Sequence, residues 1–470
     1  MVASSRGYPV KDIQGAGTMM WHDMTALQLG GEIAGGAIDP VDLAEHFLER
    51  IETLDANHRI FIRLSEERTR AEAEAARRRQ RQGLGRGPLD GVPVSWKDLV
   101  DVAGVETTMA ARALEGRVPE RDGVLLQRAT QAGTVFLGKT NMTEFAFSGL
   151  GINTTHGTPA NAHDAAVERI PGGSSSGAGV AVARGLGPIA IGSDTGGSVR
   201  IPASLNGVVG LKTTIGALPM DGVMPLASLF DTIGPLAGDV ADAAAMWSVL
   251  SGRTMADLDG ARVKGKRLVA VASPMWRGID EGIDHTCRAA LSRLEAAGAN
   301  VEWQDVDEFA EAMDVAGRLI TTDAWSCWSG VVSDMPERIF PFMLPRFLAG
   351  KVQAGHEVLE ILRQLDSLAD RLHRRMGGCD ALVAPTVRIG APKIADLLED
   401  EKTYRTANAA MLGNTTPGNL LKVCAVTLPC GKDASGMPAG LMLMQRPGRE
   451  EALLRVARAV EAAGTTQLPS

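Results

Sequence analysis

Three short stretches of this 470-residue chain hold the residue types that a serine-based acyl-transfer catalyst needs. The first is Gly91-Val-Pro-Val-Ser-Trp-Lys97, in which a lysine closes a strand-like apolar run. At a buried strand end an ammonium group loses water, which lowers its pKa and lets it act as a base. The alternative is a lysine that carries its charge out to the surface along its own stem. The second stretch is Gly172-Gly173-Ser174-Ser175-Ser176-Gly177. Alone it reads as a flexible linker, but the Ala and Val run over residues 178–183 makes it the start of a helix inside a core. A serine placed there either caps the helix or passes a proton between two other groups. The third stretch is Ser193-Asp194-Thr195-Gly196-Gly197-Ser198-Val199-Arg200. Its paired glycines let the backbone turn tightly and aim the N–H groups of Thr195, Gly196, Gly197 and Ser198 into one space, as an oxyanion hole requires. A plain strand-to-helix turn would use the same letters. A serine hydroxyl is a weak nucleophile until a base takes its proton, so Ser198 needs a partner.

Regular elements must hold these pieces. Short β-like runs at 92–96 and 134–137 alternate with helical stretches such as 124–132, which argues for an α/β fold with a layered sheet. Upstream, Thr25 starts a helical pattern. Asp39 followed by Pro40 reads as an N-cap with proline at the first helical position, and Val41, Ala44, Leu48, Ile51 and Leu54 form one apolar stripe. The cluster Arg77, Arg78, Arg79 and Arg81 suggests a polyanion site. Its interleaved Glu67, Glu72 and Glu74 lie at helical pairing distances and read instead as a solvated, ion-paired face. A charged, Gly-containing connection at 252–266 precedes a new strand (267–272) and a helix (281–297), and it reads as a subdomain junction.

Apolar residues make up 45% of the chain and charged residues 22%, ordinary values for a globular protein. The net charge of −8 gives no general electrostatic reason to bind nucleic acid or an anionic membrane. Residues 1–17 lack the order of a signal peptide and read as a flexible tail. No uninterrupted apolar run approaches 20 residues, so the expected location is cytoplasmic. The five cysteines are scattered and form no C-x-x-C pair. We expect them reduced and structural, with no metal and no cofactor in the site.

Together these stretches resemble the Gly- and Ser-rich signature of the amidase signature family, whose hallmark is a Ser, cis-Ser, Lys triad. Ser174 opens the family's Gly-Gly-Ser-Ser cluster, and Ser198 sits in its Gly-Gly-Ser-Val-Arg turn 24 positions later, the family's spacing. Further family-like segments are Gly138-Lys-Thr-Asn-Met-Thr-Glu-Phe145, Gly157-Thr-Pro159, Gly207-Val-Val-Gly-Leu-Lys212, Asp231-Thr-Ile-Gly-Pro235 and Leu428-Pro429 with Gly436-Met-Pro-Ala-Gly440. The likeness spans roughly residues 20–465 and is least specific over 250–400. It implies an α/β amidase signature fold, a large mixed twisted β-sheet covered by helices on both faces. One domain would cover 18–470, with N-terminal helices (about 18–85), a signature core (about 86–250), a variable substrate-lining region (about 251–420) and a C-terminal return (about 421–465). The resemblance assigns Ser198 as nucleophile, Ser174 as the cis-serine after Gly173 and Lys97 as base, with Asp194, Arg200 and Ser175 as supports. The implied activity is hydrolysis of an amide carbon–nitrogen bond through an acyl-enzyme, releasing ammonia or an amine and a carboxylic acid. The partner would be a small-molecule amide, with no nucleic acid and no membrane, and a homodimer stays open.

Three other readings compete. Gly133-Thr-Val-Phe-Leu-Gly138-Lys139-Thr140 fits the P-loop pattern letter by letter, yet its middle looks like a buried strand whose N–H groups are committed to a sheet. His156 and His163 are candidates for a Ser-His-Asp hydrolase, but the G-x-S-x-G elbow is missing around Ser198. The third is the glutaminase (A) subunit of a tRNA-dependent amidotransferase. Such subunits carry an acid a few positions before the pair that is Asn419-Leu420 here, where this chain has Leu412. Trp325, Trp328, Met343 and the loop before Asn414 are candidates for a substrate pocket or for core packing.

Overall fold

Strands buried on both faces read as near-continuous apolar runs, and the runs around Lys97 and Asp194 follow that rule. A computed structural model describes residues 20–164 and 166–465. Eleven strands occur among them: β1 (Phe61–Leu64), β2 (Pro93–Lys97), β3 (Val135–Thr140), β4 (Ile189–Asp194), β5 (Val209–Lys212), β6 (Thr232–Ala237), β7 (Arg267–Ser273), β8 (Asn300–Asp305), β9 (Ala381–Pro385), β10 (Cys424–Lys432) and β11 (Pro438–Gln445). They join in one sheet of order β1-β3-β2-β4-β6-β5-β10-β11-β9-β7-β8. β2 runs parallel to β3 and β4, and β7 runs parallel to β8 and β9. The other pairings are antiparallel, so the sheet is mixed and helices connect its strands. Every residue of β2, β3 and β4 is buried. The connection at 252–266 does not open a separate sheet, because β7 pairs with β9 inside the same one.

The amino-terminal helices form where their caps place them. The Thr25 hydroxyl accepts from the Gln28 N–H at the start of the helix Ala26–Ala34. The Asp39 carboxylate accepts from the Val41 N–H at 2.9 Å, with Pro40 opening the helix Pro40–Leu54. Leu43, Ala44, Phe47, Leu48 and Ile51 are buried, while Leu54, the last residue of the expected stripe, is exposed because the helix stops there. In the helix Glu66–Arg81, Arg77 pairs with Glu74 and Arg79 turns inward onto Asp90. The expected tail over 1–17 lies outside the described residues.

The P-loop look-alike is a strand. β3 is paired on one side with β1 and on the other with β2, so its backbone is not free to wrap a phosphate. Lys139 is fully buried and donates to the Val100 carbonyl at 2.5 Å and to Thr107 Oγ1 at 2.8 Å. The five cysteines are unbridged; Cys287 and Cys430 lie with their sulfurs 3.7 Å apart in the core. Among the described residues no group of three or more His, Cys, Asp or Glu side chains is placed to hold a metal ion, and no helix is long and apolar enough to cross a membrane.

Candidate active site

Lys97 ends β2, the strand between β3 and β4, and is fully buried. The register that sets Trp96 beside Ile191 lets its side chain reach across to β4. Lys97 Nζ lies 2.6 Å from Ser174 Oγ and 2.8 Å from Ser193 Oγ. Burial pulls its pKa down to about 7, against the upward pull of the Asp194 and Asp231 carboxylates. The lysine is therefore poised between its two protonation states at neutral pH.

The peptide between Gly173 and Ser174 is cis. The segment is held on both sides, since the Gly173 N–H donates to the Gly149 carbonyl and the Ser174 carbonyl accepts from the Thr143 N–H. The following helix begins at Ser176, so Ser174 does not cap it. Ser175 Oγ instead accepts from the Ser193 N–H at 3.3 Å and donates to the Ser193 carbonyl at 3.2 Å, bracing the end of β4. Gly192 makes room for this brace, for a Cβ there would stand 2.7 Å from Ser175 Oγ.

Asp194 organises the turn that follows. Its buried carboxylate accepts from the Gly197 N–H at 2.8 Å, the Val199 N–H at 3.1 Å, Arg200 Nε at 3.0 Å and Nη2 at 2.9 Å, and Asn419 Nδ2 at 3.0 Å. Burial alone would raise its pKa. The Arg200 charge and these hydrogen bonds outweigh burial and hold it well below the usual carboxylate range. Gly197 has φ +140°, and a Cβ there would lie 2.2 Å from Thr415 Oγ1, so glycine is required on both counts. Thr415 and Thr416 donate their hydroxyls to the Gly196 carbonyl at 2.6 and 3.0 Å, pinning the turn from the far side.

Two features of this turn depart from expectation. Of the four N–H groups expected to face one space, that of Gly197 is already donated to Asp194, whereas those of Thr195, Gly196 and Ser198 have no acceptor among the described residues. In addition, Ser198 Oγ makes no hydrogen bond among the described residues. The two serine segments meet instead through their backbones, where the Ser175 N–H donates to the Ser198 carbonyl at 3.2 Å.

Sequence motifs gave no role in the site to Asp231, Ser193, Thr415, Thr416 or Asn419. Thr195 Oγ1 donates to Asp231 Oδ1 at 2.5 Å, and the Leu226 and Ala227 N–H groups bind the same carboxyl. Burial pushes Asp231 up to about 7 despite these bonds. The family-like Asp231-Thr-Ile-Gly-Pro235 segment was its only signal, and for the residues near 415–419 the partner lies more than 200 positions away.

A cavity of about 600 Å³ opens over the turn. Thr195, Gly196 and Ser198 line it on one side, and most of the rest of its lining comes from three helices, Asp307–Asp334, Leu344–Ala349 and Glu401–Leu412, with Phe147 and Leu226 beside them. Trp325, Trp328 and Met343 are not part of this lining. Trp328 packs edge-on against Phe145 at 5.0 Å and donates to the Pro225 carbonyl, a core role. Neither His156 nor His163 lines the cavity; His163 Nε2 lies 2.9 Å from the Asn206 carbonyl, and the His156 N–H donates to Asn153.

The Amidase family model matches residues 42–454. The chain is 37% identical over 380 residues to 2-amino-5-chloromuconic acid deaminase of Comamonas testosteroni, covering 80% of this chain and 82% of that one. It is 31% identical over 476 residues to a glutamyl-tRNA(Gln) amidotransferase subunit from Symbiobacterium thermophilum, covering 93% and 96%. A solved amidase structure superposes with a TM-score of 0.85 at 30% identity, covering 93% of this chain and 99% of that one. With the family matched across most of its length, the chain belongs to the amidase family and is an amide-hydrolysing enzyme.

Proposed function

We propose that this enzyme cleaves its amide through an acyl-enzyme formed on Ser198, with Ser174 and neutral Lys97 as the proton relay. The observation that carries this reading is the 2.6 Å contact between the fully buried Lys97 and Ser174, beside a turn with open N–H groups. In the first step Ser198 Oγ adds to the amide carbon while its proton passes through the Ser174 hydroxyl to Lys97 Nζ. The Thr195, Gly196 and Ser198 N–H groups receive the developing oxyanion. The relay returns the proton to the amine, the carbon–nitrogen bond breaks and an ester to Ser198 remains. Water then adds to that ester by the same relay and releases the acid. The missing bond from Ser198 to Ser174 accords with such contacts being long or unformed until substrate binds. The test is a panel of amides and ureas assayed for ammonia or amine release, with Ser198→Ala and Lys97→Ala as controls. Turnover that survives either substitution would sink the mechanism.

A second reading is the glutaminase component of a tRNA-dependent amidotransferase, favoured by the 31% relative. Against it, Leu412 lines the cavity and no Asp or Glu does, so no carboxylate waits for the α-amine of glutamine. Ammonia release from simple amides by the isolated chain supports the free-standing hydrolase; release from glutamine alone supports the amidotransferase component.

A further inference from the structure

The cavity wall carries one neutral polar side chain whose orientation is fixed and whose donors are unused. Asn408, on the helix Glu401–Leu412, is 2% exposed and lines the cavity. Its Oδ1 accepts from the Gly149 N–H at 2.8 Å and from Ser148 Oγ at 2.9 Å. A backbone N–H can only donate, so the atom facing Gly149 is the oxygen and the NH2 group is turned the other way. That Nδ2 has no acceptor among the described residues, and it borders the cavity instead of being sealed in the core. The hydroxyls near it are already committed: Ser148 donates to Asn408, Thr195 to Asp231, Thr321 to the Gly317 carbonyl and Thr416 to the Gly196 carbonyl. A desolvated donor without a partner is costly, and a bound acceptor removes that cost. Leu412, one helical turn on from Asn408, overhangs the turn after β4, with its Cδ2 3.6 Å from where a Cβ on Gly196 would stand. Residues four apart on a helix have Cβ atoms about 5–6 Å apart, so the Asn408 amide stands roughly one helical turn from the turn that holds Ser198.

We propose that Asn408 Nδ2 is a recognition donor of this cavity, and that the preferred substrates are amides whose acyl chain carries a second, uncharged carbonyl oxygen a few bonds from the scissile one. This inference rests on the cavity being the amide-hydrolysing site proposed above. The scissile carbonyl sits over Ser198, a short spacer crosses the apolar lining of Phe147, Leu226 and Leu412, and the second carbonyl oxygen accepts from the carboxamide. An ammonium group at the same place sets N–H donors against N–H donors and is disfavoured, because neither satisfies the other. The anchor of this amide is shared with the proposed relay, since Gly149 donates to Asn408 and accepts from the Gly173 N–H.

The test measures ammonia release by the full chain from uncharged pairs matched in length: methyl malonamate against pentanamide, methyl succinamate against hexanamide, and methyl glutaramate against heptanamide. Ammonia reports the amide alone, whether or not the ester is cut. The wild type is expected to favour the ester-bearing member of at least one pair in kcat/KM by about tenfold, the size of a neutral hydrogen bond to a buried donor. Asn408→Asp keeps an oxygen for the Gly149 and Ser148 donors and replaces the NH2 group by a second oxygen, so it separates recognition from packing. In that variant the preference should fall to about one, and the cationic γ-aminobutyramide should gain about tenfold against pentanamide relative to the wild type. A wild-type ratio near one in every pair, a ratio that survives Asn408→Asp, or no gain for γ-aminobutyramide overturns the proposal. The wild-type ratios decide it even where the variant folds poorly. Binding to the Ser198→Ala protein, followed by calorimetry, tells the failure of this inference from that of the hydrolase reading. If no amide is turned over while methyl succinamate binds about tenfold more tightly than hexanamide, and Asn408→Asp removes that difference, the hydrolase reading fails and the recognition donor stands. If amides are turned over and neither turnover nor binding distinguishes the pairs, the recognition donor fails alone.

Discussion

Protonation of one amine should set the acidic side of the rate profile. Lys97 accepts a proton only when uncharged, and its pKa is about 7. We therefore expect kcat/KM to fall about tenfold per pH unit below that value and to level off above it. Asp231 bears on the same limb where it is ionised, because its own pKa is pushed up to about 7 and its charge, once present, pulls the Lys97 pKa up together with that of Asp194. In Asp231→Asn that pull is gone, and the limb should move to lower pH; a profile that stays in place would show that Asp231 does not act on the lysine. Lys97→Ala should lower kcat by roughly 10⁴-fold while the protein stays folded, since alanine carries no charge to bury. Lys97, Ser174 and Ser198, the residues of the proposed relay, could be named from the sequence because each sits in a short motif. Ser193 and Asp231 could not, because their meeting with Lys97 and Thr195 depends on which strands become neighbours. The Gly197 N–H faced a choice that no motif states, between the cavity and the Asp194 carboxylate.

At the scale of the turn after β4, the decisive quantity is free space. Gly197→Ala brings a Cβ to 2.2 Å from Thr415 Oγ1 at φ +140°, and we expect a loss of roughly 2–5 kcal/mol with loss of activity. Thr415→Gly in the same chain should restore part of the stability, read by denaturant unfolding, and leave the dihedral penalty in place. No recovery at all would place the obstruction elsewhere. Strands β2 and β3 and the helix after Asp39 could be located from apolar runs and caps, with strand ends off by one to three residues. The cavity-lining helices could not. An apolar residue facing a cavity and one facing a core read alike, which is why Trp325, Trp328 and Met343 were plausible wall residues and proved to lie elsewhere.

Across the whole molecule, Asp194, Arg200 and Asn419 tie the turn after β4 to a segment more than 200 positions away. Removing one partner of a buried pair strands the other charge, so Arg200→Met should cost about 3–5 kcal/mol and lower the melting temperature. Because Asp194 has a depressed pKa, the stability it adds is fully present above the ordinary carboxylate range and drains away as pH falls through and below that range. Acid unfolding of the wild type should therefore be shallower in Asp194→Asn, already destabilised at neutral pH. The α/β class followed from local alternation, whereas the order of eleven strands did not, since pairing partners such as β5 and β10 are far apart in the chain. That order has a consequence during synthesis. The β10–β11 hairpin lies in the middle of the sheet, joining β5 on one side to β9 on the other, yet a ribosome makes it after both. Until it emerges, the nascent chain holds two half-sheets with raw inner edges, the kind of surface that recruits other strands. Chaperone protection in that interval should decide how much of this enzyme a cell obtains.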